Sequence, residues 1–265
     1  MTNSKKSVAD GVYDAAATQV MENVAGSGKS GQTDRNIFAW YAQVLPGQLA
    51  GVHIIDWGAG VGRFVPFFEA RGVQKITLVE PSDDSFAALK NNFGSRAHLE
   101  LIQDGIGGRV LRPVTSKNTL HVCNFVVNCI SNLPAAFDAL AASILPGERL
   151  FLVTNVFAPK ATVDSIKDSR AESAVPINIA VAPALDLALP TTPIFSNEII
   201  DSKEVLKDSV HTLAEYAELW RSEGLRWDTL SAKLMLPDGF SHKVLHGENF
   251  GDYRFAVLVM ELVRR

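Results

Sequence analysis

Asp56, Gly58, Gly60 and Gly62 fall on alternate positions in GVHIIDWGAGVGRF, residues 51–64. Three glycines so close together let the backbone approach a ligand that side chains would keep away. N–H groups at the start of a following helix would point at that ligand. The spacing therefore points to a nucleotide-type ligand; a tight turn with no ligand is the alternative. A second candidate stands further on. Glu80 ends the apolar run of Ile76, Leu78 and Val79. A carboxylate there accepts two hydrogen bonds side by side, as the paired hydroxyls of a ribose require.

The elements around these residues follow from periodicity. Val52, Ile54 and Ile55 read as a buried parallel strand and Arg63 to Ala70 as the helix after the turn. Lys75–Val79 is a second strand, Asp83–Asn92 a helix, and His98–Gln103 a third strand ending at Asp104 and Gly105. Leu120–Phe125 is a fourth strand. A helix, the turn Pro146-Gly147 and a fifth strand, Arg149–Thr154, follow it. Upstream, Val8–Val24 and Arg35–Leu45 read as helices, the second with Asp34 as its N-cap. Downstream, Ser209–Gly224 reads as a helix, and Trp227–Met235 and Phe255–Val263 as closing strands. The implied fold is α/β, a mostly parallel, Rossmann-like seven-stranded sheet with helices on both faces and an antiparallel C-terminal strand.

The glycine turn departs from the dinucleotide fingerprint G-x-G-x-x-G, because Arg63 stands where the third glycine belongs. The form D-x-G-x-G-x-G from Asp56 to Gly62 resembles motif I of the class I S-adenosylmethionine-dependent methyltransferases, small-molecule type. Tyr13-Asp14-Ala15-Ala16-Ala17 resembles the segment that precedes motif I in that family. The resemblance implies S-adenosylmethionine as cofactor. It implies that Tyr13 closes over the cofactor and that Asp56, Gly58, Gly60 and Gly62 line it. It further implies that Glu80 holds the ribose and that Asp104 and Gly105 take the adenine. Asn124, which the resemblance also implies as a cofactor-binding residue, falls at the end of strand four, where the family places a polar or acidic residue near the methyl acceptor, and Asn128 lies four residues on. An amide orients a substrate but does not remove a proton, so Asn128 is expected to position substrate. The activity implied is methyl transfer to a nitrogen or oxygen of a small, apolar or aromatic metabolite. A non-methylating enzyme on the same fold and a non-catalytic partner subunit remain as alternatives.

Composition limits the rest. The chain has 265 residues, 47 % hydrophobic and 20 % charged, with a formal net charge of −4 at pH 7 and two cysteines, Cys123 and Cys129. With no basic block, nucleic acid is not the expected partner. The cysteine number fits a reduced, cytoplasmic setting, and no apolar run suits a signal peptide or a membrane span. No metal is expected: His242 and His246 are four apart but in a glycine-bounded loop, and His121 reads as a buried strand residue. The loop Ala25–Asp34 contains Gly28-Lys29-Ser30 without the glycine spacing of a phosphate loop, and is expected to act as a lid. Four regions result. Residues 1–50 form an N-terminal helical cap and 51–154 the cofactor-binding core. Residues 155–205 are an apolar insertion, either a substrate cap or a homodimer contact. Residues 206–265 complete the sheet. The aromatic residues Phe38, Trp40 and Tyr41, with the insertion, motivate the apolar or aromatic acceptor.

Overall fold

A computed structural model describes residues 32–108, 118–159, 161, 174–178, 194–198, 205–209, 211–235 and 253–265. Helix α1 (Gln32–Val44) leads into β1 (His53–Trp57), α2 (Val65–Glu69), β2 (Lys75–Val79), α3 (Asp83–Phe93) and β3 (Leu99–Ile102). Then come β4 (Thr119–Asn124), a 3-10 turn (Val127–Cys129), α4 (Leu133–Ser143) and β5 (Arg149–Pro159). Short strands β6 (Ala174–Pro176), β7 (Ile194–Glu198), β8 (Val205–Ser209) and β9 (His211–Thr212) follow. The last elements are α5 (Leu213–Arg221), β10 (Trp227–Met235) and β11 (Tyr253–Arg264). Tyr13, most of the Ala25–Asp34 loop, His242 and His246 lie outside the described residues, as does most of the 155–205 segment.

The main sheet has the order β3-β2-β1-β4-β5-β11-β10-β6, with β9 pairing the far end of β5. Its first seven members are the expected seven strands. β3, β2, β1, β4 and β5 run parallel, and β11 is antiparallel to both β5 and β10. β6 and β9 are short additions at its margins, so the sheet has nine strands. β7 and β8 form a separate antiparallel pair. Among the described residues no helix is long and apolar enough to cross a membrane.

Alternation along the parallel strands divides the core in two. Ile55, Trp57, Cys123, Leu150 and Leu152 pack under Phe137 and Leu140 of α4 and Tyr216 of α5. Ile54, Leu78, Val122, Phe151 and Val153 pack under Trp40 and Tyr41 of α1, Phe68 of α2, and Leu89 and Phe93 of α3. Burial at that scale, about 25 cal/mol for each Å² of apolar surface, holds the helices to the sheet.

Several boundaries differ from the sequence reading. Asp34 does not precede α1 but lies inside its first turn. Asp56 and Trp57 belong to β1, because Asp56 pairs with Val122 and Leu78 and Trp57 with Val79. The helix after the glycine turn is shorter, starting at Val65 with Pro66 in its first turn, where a missing N–H costs nothing. β5 continues to Pro159, because its partner β11 is long enough to pair as far as Tyr253. α5 starts at Leu213 because Thr212 caps it: Thr212 Oγ1 accepts from Glu215 N (3.1 Å), and Glu215 Oε2 accepts from Thr212 N (2.6 Å).

Candidate functional site

The glycine turn leaves β1 at its carboxyl end with positive φ at Gly58 (72°), Gly60 (56°) and Gly62 (85°). The three positions face different surroundings. A Cβ on Gly58 would stand 2.4 Å from Val126 Cγ2, and one on Gly62 2.4 Å from the Phe93 ring. Those two glycines pack the turn against the post-β4 segment and against α3. A Cβ on Gly60 would meet nothing within 4 Å among the described residues. Gly60 is the residue whose conformation and open side both suit a ligand.

Glu80, directly after β2, is 6 % exposed and ties the turn to the next strand. Gly60 N donates to its Oε2 (2.8 Å) and Ser82 N to its Oε1 (2.9 Å). Burial pushes its carboxyl up, and the two backbone donors offset part of that. Ser82 also caps α3, accepting from Ser85 N (3.2 Å), so the carboxylate is set on a fixed helix start. A carboxylate has about four acceptor positions, so each Glu80 oxygen retains capacity for one further donor.

Asp56 lies on β1, 2 % exposed, and its Oδ1 has no hydrogen-bond partner among the described residues. Burial, then the charge of Glu80, pushes its pKa up to about 7. Asn124 ends β4 at 7 % exposure. Its Oδ1 accepts from the Tyr41 hydroxyl (2.7 Å), and its Nδ2 is buried with no partner among the described residues. The next residue, Phe125, is non-glycine yet has φ 58°, and its N–H donates to Val153 O (2.7 Å). Among the described residues it is the one side-chain-bearing position in the left-handed region, a strain found where chain direction serves a site.

The structure thus brings Asp56, Gly58, Gly60, Gly62, Glu80 and Asn124 to the carboxyl ends of adjacent strands. Asp104 and Gly105 stand one strand further along, after β3, where Gly105 N donates to Asp104 Oδ1 (2.8 Å). The two groups expected to read a base are bonded to each other, so a bound base would have to compete with that turn. Asn128 is fully buried within the 3-10 turn beyond β4. His121 is buried, as its strand position implies. Its Nδ1 accepts from Trp57 Nε1 (3.2 Å) and its Nε2 pairs with Glu148 Oε2 (3.0 Å), so it is no base for this site.

Two residues escaped the sequence reading. Tyr41 was read as one of the helix aromatics that motivate the acceptor, not as a partner of Asn124, because its hydroxyl contact depends on a strand distant in sequence. His211 Nε2 bonds to Ile130 O (2.8 Å), anchoring the chain just past Asn128, and no spacing announced it.

A sheet of order 3-2-1-4-5, continued by an antiparallel strand, matches solved structures over almost the whole chain. A provisionally assigned S-adenosylmethionine-dependent methyltransferase from Listeria monocytogenes aligns at TM-score 0.56 and 11 % identity, over 88 % of this chain and 99 % of that one. Geranyl diphosphate C-methyltransferase from Streptomyces coelicolor, solved with geranyl diphosphate and S-adenosyl-L-homocysteine, aligns at 0.53 and 11 %, over 98 % and 92 %. The fold is that of the class I S-adenosylmethionine-dependent methyltransferases. A complex of a methyltransferase activator with a provisionally assigned methyltransferase from Haloferax volcanii gives a third match. Its TM-score is 0.53 at 12 % identity, over 92 % of this chain and 96 % of that one. No family model and no curated protein sequence matches the chain. In this fold Asp56, Gly58, Gly60, Gly62 and Asn124 stand at the switch point of the strand order, between β1 and β4, where open sheets take their ligands.

Proposed function

We propose that the chain binds S-adenosylmethionine along the carboxyl ends of β3, β2, β1 and β4 and transfers its methyl group to a small acceptor. The observation that carries this reading is Glu80. Two backbone N–H groups hold its carboxylate beside the open face of Gly60, and its remaining acceptor capacity suits a pair of ribose hydroxyls. The unpartnered Asp56 Oδ1 and Asn124 Nδ2 are further groups that a polar ligand would satisfy. Those residues fit the cofactor, with Asp104 and Gly105 toward the base. When bound, the sulfonium supplies an already activated methyl group. The protein's own residues then have to bind, align and exclude water, for which no catalytic triad is needed.

For the acceptor, we propose a small metabolite methylated on nitrogen or oxygen, with Asn128 orienting it and the segment 155–205 capping it. In support, β7 of that segment pairs with β8, and the backbone of β8 runs beside the 3-10 turn that carries Asn128. The aromatic residues of α1 lend less support than their sequence implied. Trp40 and Tyr41 are fully buried against Phe68 and Phe151, and Phe38 stacks on Phe67 at 4.9 Å. Burial in the core removes Trp40 and Tyr41 as pocket lining, while Phe38 is half-buried against Phe67. The apolar or aromatic character of the acceptor therefore rests on the composition of residues 175–195.

The test is calorimetric titration of the purified protein with S-adenosylmethionine, S-adenosylhomocysteine and NAD in parallel. Binding of the first two and not the third is expected, and a mass-shift screen of acceptors then identifies the methylated atom. Binding of NAD alone, or of none of them by protein shown to be folded, overturns the reading.

A further inference from the structure

The order of the strands assigns the two ends of the cofactor. On the cofactor reading, with the base after β3 and the ribose on Glu80 after β2, the amino-acid end would extend over the next strands in order, β1 and β4. That end is a zwitterion, a carboxylate and an ammonium on one carbon. The two buried polar atoms without partners among the described residues at this place are Asp56 Oδ1, an acceptor, and Asn124 Nδ2, a donor. Their strands are neighbours in parallel register, Asp56 beside Val122, and Asn124 follows two residues later. Alternation puts both side chains on the α1 side of the sheet, shared by Ile54 and Val122.

Tyr41 decides which end of the Asn124 amide is left over. Its hydroxyl is fully buried and bonds to Asn124 Oδ1 at 2.7 Å. Burial, the largest cause, with the nearby Asp56 charge, raises the phenol well above its usual range, so it stays protonated and donates. Flipping the amide would turn Nδ2 toward that proton and leave the buried hydroxyl with no acceptor. The amide is thereby held with a donor as its spare group. A donor suits a carboxylate and does not suit an ammonium, whereas the spare oxygen of Asp56 suits the ammonium.

We infer that Asn124 donates through Nδ2 to the carboxylate of the cofactor's amino-acid end, and that Tyr41 is the positioning residue that fixes the amide for that contact. The inference rests on the cofactor reading and adds to it a named moiety, a named donor and a residue of α1. A hydrogen bond to a charged oxygen contributes roughly tenfold or more in affinity when its geometry is held.

The experiment compares S-adenosylhomocysteine with its decarboxylated analogue, which retains the adenosine, the thioether and the ammonium. Dissociation constants are measured for the wild type, Asn124→Asp and Tyr41→Phe, with a thermal melt of each. The wild type is expected to prefer S-adenosylhomocysteine by about tenfold or more. Asn124→Asp should bring that ratio close to one, and Tyr41→Phe should reduce it by about threefold while the analogue binds as before. A general structural defect would weaken both ligands together and leave the ratio alone. An unchanged ratio in Asn124→Asp overturns the inference, even while tight binding of both ligands upholds the cofactor reading. Failure of the folded wild type to bind either ligand overturns the cofactor reading, and this inference with it.

Discussion

On the α4 side of the sheet, His53 bonds to Thr77 Oγ1 (2.8 Å), Thr77 donates to Glu100 Oε2 (3.0 Å), and Lys75 pairs with the same oxygen (2.7 Å). Next to them Trp57, His121 and Glu148 form a second row, and Glu148 also accepts from Leu145 N (2.9 Å). Every link ends on another protein group. At the carboxyl ends of the same strands, Asp56 and Asn124 are buried as Thr77 and His121 are, yet each retains an atom with no partner among the described residues. Both regions carry the desolvation cost of buried polar groups, and one of them is closed while the other is open. Titration follows the same division. Burial alone would raise Glu148, but the bonds from His121 and Leu145 outweigh it and hold the carboxyl below its usual range. Asp56 has no such bonds and rises to about 7. A closed network stabilises the fold; an open one keeps binding capacity at some expense of stability.

Substitutions can sharpen or break that contrast. The largest effect belongs to Glu80→Ala, which removes the acceptor pair of the open region. Affinity for S-adenosylhomocysteine, read by calorimetry, should fall by roughly 3–5 kcal/mol if two hydroxyl contacts are lost. Unchanged affinity would remove Glu80 from the ribose site.

Asp56→Asn comes next and acts on stability. A carboxyl raised in the folded state, and ordinary in the unfolded chain, contributes stability that is fully present below about pH 4 and is lost as pH rises through about 7. Wild type should therefore weaken relative to Asp56→Asn between those limits, by about 4 kcal/mol in urea unfolding. Parallel pH profiles for the two proteins would show that Asp56 is not an open, destabilised group.

The smallest expected change is in the closed region. His121→Leu deprives the Trp57 indole and Glu148 of their partner and should cost about 1–2 kcal/mol of stability, with affinity for S-adenosylhomocysteine within about twofold of wild type. A large loss of affinity in this variant would mean that the two regions are one network and that the contrast fails.

Much of the site was legible because it is local. Gly58, Gly60 and Gly62 must adopt left-handed or closely approached conformations within a few residues of β1, and glycine is the residue that does so without strain. Glu80 stands at the end of a strand whose apolar run marks it. The Tyr41–Asn124 contact was not legible, because it joins an apolar helix face to a strand 83 positions away and depends on how α1 lies on the sheet. The engagement of Gly105 N by Asp104 was likewise invisible, since a base-reading pair and a self-bonded Asp-Gly turn share one sequence.

By itself the sequence determined the strand and helix alternation, the glycine turn, the acid after β2 and the seven-strand plan, because periodicity and turn chemistry act over a few residues. Only the tertiary structure decided that β5 runs on to Pro159, that β9 adds to its end, that Trp40 and Tyr41 of α1 are core, and that Asn124 keeps a donor rather than an acceptor to spare. Each of these depends on which distant partner a backbone or side-chain group finds, and hydrogen-bond partners are assigned by packing across the sheet, not by spacing along the chain.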